Sequence, residues 1–183
     1  MIQCTVKDVN KDIKAKFGGK SIDVEYNGLY KEGDVIVVSC DTDFIAVSFD
    51  ESQKLSVVYV PGHELVYPLP MGNAIQAYDE ESWEKPMHKI TIREVDESEA
   101  FGLRNIALNS VDFTSNKKSY PHAEANFVTR GEPVFEAKNA IDGVCCNESH
   151  GRYPYHSWAA GAREDMIYTL DFGCDVEIEK IIF

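Results

Sequence analysis

Short stretches in which hydrophobic and polar residues alternate follow one another along the first half of the chain. In residues 21–28 (SIDVEYNG), the apolar residues Ile22, Val24 and Tyr26 alternate with polar ones up to an Asn-Gly turn. A period of two is typical of a β-strand with one buried face. Comparable patterns predict further strands in residues 33–40, 44–50, 54–60, 61–70 and 88–95.

The remaining half of the chain continues the β pattern but is less regular. Strands are predicted in residues 123–128, 166–173 and 176–183, and the last of these ends in three apolar residues. An unpaired apolar strand is an exposed edge, so either the domain breaks off there or another chain pairs with it. In the acidic stretch 77–88 a helical turn is expected before Pro86.

Many short strands separated by turns predict an all-β protein, a β-sandwich or jelly roll. The pattern divides it into a small β-domain of unknown role, residues 1–97, and a second unit, residues 98–183. If the final strand is an unpaired edge, a homo-oligomer formed through that C-terminal strand is one expected arrangement.

Charge and composition limit the classes of partner that the protein can bind. The net charge is −13, and both halves are acidic, so neither offers the basic surface that nucleic acid or an anionic membrane requires. No signal peptide or membrane-length apolar run is seen, and the five cysteines form no regular framework. A cytoplasmic protein with reduced thiols is therefore expected, or an extracellular one if a leader is missing.

A set of landmarks in the second unit resembles a known family. Ala137, Ala140 and the pair Asp142-Gly143 are followed by Trp158, and then by the sequence LDFG at residues 170–173. This order is similar to galactose-binding-like domains, which include discoidin and coagulation-factor C domains and many carbohydrate-binding modules. The chain as a whole also resembles a bacterial group in which a small β-domain precedes such a module. Here Ser157 directly precedes Trp158, one residue tighter than the common spacing.

The resemblance implies a jelly-roll C-terminal unit that binds carbohydrate without catalysis, and it implies a structural calcium site. In related modules the ligands include backbone carbonyls, the loop aspartate and a hydroxyl. The corresponding donors here are the carbonyl of Lys138, the carboxylate of Asp142 and the hydroxyl of Ser157. A late glutamate ligand of the family would fall after residue 183. The alternative is that Asp142 only caps its own turn.

The densest cluster of functional side chains lies in residues 150–158 (HGRYPYHSW). Aromatic rings can stack on the apolar face of a pyranose, and His, Arg and Asn side chains can bond its hydroxyls. We therefore predict a sugar-binding loop, with Trp158 in the core. The predicted ligand-binding residues are Asn147, His150, Arg152, Tyr153, Tyr155, His156 and Arg163. The alternative is that these aromatics only pin a long loop onto the fold.

Other functions remain open at this stage. A zinc site would need His150 and His156 together with Cys145 or Cys146, but the spacing fits no common zinc motif. A nucleophile pair at His156-Ser157 lacks a third orienting group. A glycoside-processing enzyme is one alternative to carbohydrate binding, and a protein-interaction module that associates through strand edges is another.

Overall fold

A computed structural model of the chain describes residues 1–182. They form mostly β-strands in antiparallel sheets, with two short helices, α1 (Glu80–Glu84) and α2 (Glu97–Ala100), and several short 3₁₀ helices. The strands are β1 (Ile2–Lys7), β2 (Ile13–Gly19), β3 (Ser21–Asn27), β4 (Val35–Ser39), β5 (Phe44–Ser48), β6 (Ser56–Tyr59), β7 (Glu64–Pro68), β8 (Met87–Glu94), β9 (His122–Ala125) and β10 (Tyr168–Asp171).

Two four-stranded sheets enclose the main hydrophobic core. The strand order is β2-β1-β4-β7 in the first sheet and β3-β8-β5-β6 in the second. Alternate residues of each strand point inward, such as Ile36 and Val38 on β4 and Ile90 and Ile92 on β8, and all four are fully buried. Each such side chain contributes about 2 kcal/mol by leaving water, so this core holds the two sheets together.

Strand β6 has apolar residues on both faces, and this determines where the second half of the chain lies. Ser56 and Val58 point into the core, whereas Val57 and Tyr59 alternate with them and point outward. β6 is also an edge strand, and its Tyr59 forms a β-bridge with Tyr120, in which each backbone N–H donates to the other's carbonyl at 2.9 Å. Residues of the second half therefore meet the first half along β6.

Further buried contacts fix this junction. The side-chain amide of Gln53 donates to the carbonyl of Ser110 at 2.9 Å, and the hydroxyl of Ser110 donates to the carbonyl of Lys54 at 2.6 Å. Val111 is fully buried in the main core. The two halves are thus packed against each other, and the boundary near residue 98 stays a prediction.

The second half is built on a two-stranded sheet of β9 and β10. Trp158 and Leu170 pack against a small core of Ala123, Ala137 and Ile141, so Trp158, predicted to lie in the core, is partly buried against it. The rest of this half consists of loops and 3₁₀ turns, which place functional side chains at the surface.

Most of the predicted strands and the helical turn before Pro86 are confirmed. β1 and β2 were not predicted, although Ile2, Cys4 and Val6 alternate as a half-buried strand should. The strand predicted for residues 176–183 is wrong over 176–182, and residue 183 lies outside the described part of the chain. A strand needs a neighbour for its backbone groups, and no described strand pairs with this segment, so Ile178 and Ile182 remain exposed.

Among residues 1–182, no helix has the length and apolar character needed to cross a membrane.

Candidate functional site

The predicted sugar-binding loop is organised around a buried histidine. His156 is buried, and its Nε2 lies 2.5 Å from an Oδ2 of Asp142. The ring of Tyr153 stacks on the imidazole with centroids 5.3 Å apart, and burial raises the pKa of the Tyr153 hydroxyl. The structure thus brings these two predicted residues together. Their contacts are with each other and with Asp142, so both side chains already have partners within the protein.

The same loop is fastened to the first half of the chain. The backbone N–H of Tyr153 donates to the carbonyl of Gln76 at 3.0 Å, and the guanidinium of Arg152 lies 3.4 Å from the carboxylate of Glu80 on α1. Arg152 is exposed and Tyr155 is half-buried. These contacts favour the alternative in which the loop is held onto the fold.

The other predicted ligand-binding residues have separate surroundings. Arg163 pairs with Asp165 through two hydrogen bonds of 2.8 and 2.6 Å, and its guanidinium lies 4.9 Å above the Phe127 ring. Asn147 and His150 are exposed, and the ring of His150 lies near that of Phe135. None of the predicted ligand-binding residues lines the recess of about 420 Å³ or the one of about 270 Å³ that the described residues form elsewhere.

The three predicted calcium donors already have protein partners or face solvent. The carbonyl of Lys138 accepts from the N–H of Ile141 at 3.1 Å, and the side chain of Ser157 is exposed. Asp142 accepts from the N–H of Val144 at 2.8 Å with its other oxygen, which is the turn cap expected as the alternative. As arranged, this carboxylate is not free for a cation, and calcium binding stays a prediction. Within residues 1–182 no cluster of three or more metal-ligating acidic, His or Cys side chains occurs.

A different region has the form of a binding site. A recess of about 420 Å³ opens where β5 and β6 meet the second half of the chain. Five aromatic residues line it, namely Phe44, Tyr59, Phe101, Tyr120 and Phe172. Its other side chains include Arg104 and two carboxylates, those of Asp175 and Glu177. We refer to this recess as the aromatic cleft.

Strand pairing sets the aromatic wall of the cleft. Phe44 on β5 is the direct partner of Tyr59 on β6, and their rings lie 5.0 Å apart on the outer face of the sheet. Phe101 packs edge-on against Phe44 at 5.3 Å, and the bridge to Tyr59 holds the Tyr120 ring at 6.2 Å. Each ring is therefore positioned by regular backbone hydrogen bonds or by another ring.

Helix α2 positions the guanidinium of Arg104, which lines the cleft. The Asp96 carboxylate caps the helix by accepting from the N–H of Glu99 at 2.9 Å, and Arg93 on β8 holds Glu99 through two bonds of 2.7 and 2.6 Å. Arg104 follows α2, and its Nε donates to the carbonyl of Ala100 at 3.2 Å. Partial burial lowers the pKa of Arg104, but the guanidinium remains charged near neutral pH.

Nε makes the one hydrogen bond of the Arg104 side chain among the described residues, so its terminal nitrogens have no partner there. A guanidinium that is partly desolvated and only partly bonded retains donors for a ligand.

The opposite wall of the cleft depends on a glycine. Gly173 has a φ of +68°, and a Cβ at this position would lie 2.4 Å from the Tyr120 ring. The backbone therefore passes directly over that ring, which only glycine permits. This close approach places Phe172 and Cys174 on the cleft.

None of the cleft residues was among the predicted site residues. The available signal was the pattern of residues 54–60, in which Val57 and Tyr59 are apolar at positions that alternate with the core residues. Apolar residues on both faces of a strand indicate that both faces are covered. The sequence does not say that Tyr120 and Phe172 complete the covering.

We compared the chain with protein-family models, with curated proteins and with solved structures, and no match was found in any of the three. The function is therefore inferred from the residues of this chain alone.

Proposed function

We propose that the protein binds neutral carbohydrate, without catalysis, in the aromatic cleft. The observation that carries this proposal is the combination of five aromatic rings with a partly desolvated guanidinium and two carboxylates around one recess of about 420 Å³. Ligand sites of this kind are concave and mainly apolar, and they contain a few polar groups that fix orientation.

The side chains of the cleft match the two surfaces of a sugar ring. The C–H face of a pyranose loses contact with water when it stacks on Phe101 or Tyr59. Ring hydroxyls can accept from the guanidinium of Arg104 and donate to the carboxylates of Asp175 and Glu177. A hydroxylated ring thus uses both the apolar and the polar groups of the cleft.

Charge favours a neutral sugar over an acidic one. The cleft has one guanidinium against two carboxylates, in a protein whose net charge is −13. An anionic sugar would be repelled by both the local and the overall charge.

We also propose that the second half is a galactose-binding-like jelly roll, so that the whole is a β-sandwich followed by such a module. Two observations support this. Gly143 and Gly173, which the resemblance places at tight turns, have φ values of +84° and +68°. Trp158 and Leu170 pack on one small core.

A protein ligand is the second candidate, and one observation favours it. Phe101 is 71% exposed at the edge of the cleft, and Leu103, two residues later, is 87% exposed. Exposed apolar side chains beside a recess are typical of a surface that docks a partner. In that case the cleft would bind an apolar peptide side chain instead of a sugar.

The test is a glycan array of neutral and acidic sugars, followed by isothermal titration of the best neutral glycan. The test variant is Phe101→Ala, because an exposed ring can be removed without opening the core. The matched control is Ile13→Ala, which removes an apolar side chain that is 62% exposed on β2 of the other sheet.

We expect Phe101→Ala to weaken binding by about tenfold, the loss of one stacking contact, and Ile13→Ala to leave it unchanged. Absence of binding to every neutral glycan by the folded protein would overturn the proposal. Binding that Tyr153→Ala abolishes and Phe101→Ala does not affect would return the site to the loop.

A further inference from the structure

A second recess lies beside the aromatic cleft. It has a volume of about 270 Å³ and is lined by Leu55, Val57, Leu103, Asn105 and Leu108, among others. Gly102 and Arg104 line both recesses. The loop after α2 is therefore the common wall between them.

The two recesses are aligned by one strand. Leu55 directly precedes β6, and Val57 and Tyr59 lie on it at the same spacing of two residues, so the three side chains face the outer side of the sheet. Leu55 and Val57 line the second recess, and Tyr59 lines the aromatic cleft. Four residues of strand span ~13 Å, which is longer than a single hexose ring.

The second recess has a different chemical character from the first. It has no aromatic lining residue among those described, and its apolar walls are leucine and valine side chains. The hydroxyl of Ser98 donates to Asp96 at 2.6 Å, the Oδ1 of Asn105 accepts from the N–H of Ala107 at 3.1 Å, and Glu99 is paired with Arg93. The polar donors left for a ligand are therefore the amide nitrogen of Asn105 and the guanidinium of Arg104. Such a surface can contact a second sugar ring, but it lacks a platform for strong stacking.

We infer that the ligand is an oligosaccharide of at least two rings, which lies along β6 with one ring in the aromatic cleft and the next in the second recess. This inference rests on the proposed function and adds a ligand class to it. Arg104, which lines both recesses, contacts both rings or the linkage between them. The aromatic cleft holds the first ring tightly, and the second recess adds a smaller increment.

The experiment is isothermal titration with neutral β-1,4-linked oligomers of glucose, galactose and N-acetylglucosamine, each from one to four rings. In the series that binds, we expect affinity to rise about fivefold or more from one ring to two, because the second recess becomes occupied, and to level off afterwards.

Two exposed side chains allow each recess to be tested independently. Leu103 lines only the second recess and Phe101 only the first. Leu103→Ala should weaken binding of the two-ring sugar about threefold and leave the single ring unchanged, whereas Phe101→Ala should weaken both. Equal affinity for one and two rings, with no effect of Leu103→Ala, would overturn the extended site and leave single-ring binding in place. Failure of every oligomer to bind would overturn this inference, and failure of the whole glycan array would overturn the proposed function as well.

Discussion

The predicted sugar-binding loop (residues 150–158) and the aromatic cleft contain similar side chains but use them in opposite ways. In the loop, His156 is bonded to Asp142, Arg152 lies beside Glu80, and Tyr153 stacks on the histidine. In the cleft, the rings face a recess and Arg104 uses only its Nε within the described residues. Polar groups that bond one another stabilise the fold, whereas groups left with free donors beside a cavity are available to a ligand.

This difference shows why residue composition alone does not identify a binding site. Nine positions with His, Arg, Tyr and Trp predict ligand chemistry, but the same side chains can hold a long loop in place. The deciding property is whether each polar group already has a partner, and that depends on residues distant in sequence, such as Asp142 for His156 and Glu80 for Arg152.

The largest expected effect tests the structural role of the loop. His156→Ala removes a buried ring and leaves Asp142 without its partner, so the free energy of unfolding should fall by about 2 kcal/mol. Urea denaturation measures it, and His150→Ala, an exposed histidine of the same loop, is the control with a change below about 0.5 kcal/mol. Equal stability of both variants would contradict a stabilising role for the contact between His156 and Asp142.

The next prediction tests the packing of the Gly173 backbone against Tyr120 in the cleft wall. Gly173→Ala combines a positive φ with a clash against the Tyr120 ring, so it should cost about 2 kcal/mol and weaken glycan binding. Gly131→Ala is the control, because its φ is +65° but nothing lies within 4 Å of the added Cβ. It should cost about 1 kcal/mol and leave binding intact. Denaturation and titration of the two variants, if they gave the same result, would contradict the close packing on Tyr120.

A smaller effect concerns the guanidinium of the cleft. Arg104→Gln should weaken glycan binding by about tenfold through loss of charged donors, with little change in stability. Arg130→Gln, which removes an exposed guanidinium paired with Glu132, is the matched control. Titration showing equal affinity for both variants would remove Arg104 from the site.

The smallest effect is a pH dependence next to the cleft. His122, which follows the cleft residue Pro121, has its pKa raised from 6.5 mainly by its hydrogen bond to Asp112. Folding therefore favours the protonated imidazole of His122. The His122–Asp112 pair contributes its full share to the stability of the folded state below pH 6.5, and this contribution is lost as the pH rises through the folded-state pKa.

The stability difference between the wild type and His122→Asn should therefore narrow as pH rises. Urea denaturation of both proteins at several pH values below and above 6.5 measures this difference. A gap that widens with increasing pH would contradict the assigned pair.

Strands β3 to β8 of the first half were predicted because each alternates around a core that the strand itself helps to form. Ile22, Tyr26 and Ile92 are examples of residues whose neighbours in sequence already indicate which face is buried. The segment 176–182 alternates in the same way and yet forms no strand, since pairing requires a neighbour that the sequence of the segment does not encode.

The cleft could be predicted only in part. The apolar outer face of β6 was visible in the sequence, but its lining comes from segments as distant as Phe44 and Phe172. Likewise, local landmarks indicated that Asp142 could cap its own turn and that Trp158 would pack inward. They did not indicate that Asp142 pairs with His156. Local pattern gives the faces of strands, and long-range packing decides which side chains meet.

The most direct test compares the two regions within one molecule through their own thiols. Cys174 lines the aromatic cleft, Cys145 and Cys146 are exposed just before the loop, and Cys4 and Cys40 are buried. The alkylation rate of each thiol is measured by mass spectrometry with and without a saturating neutral oligosaccharide. We predict that the sugar slows alkylation of Cys174 and leaves Cys145 and Cys146 unchanged. Protection of Cys145 and Cys146 with no change at Cys174 would contradict the assignment of the ligand site to the cleft.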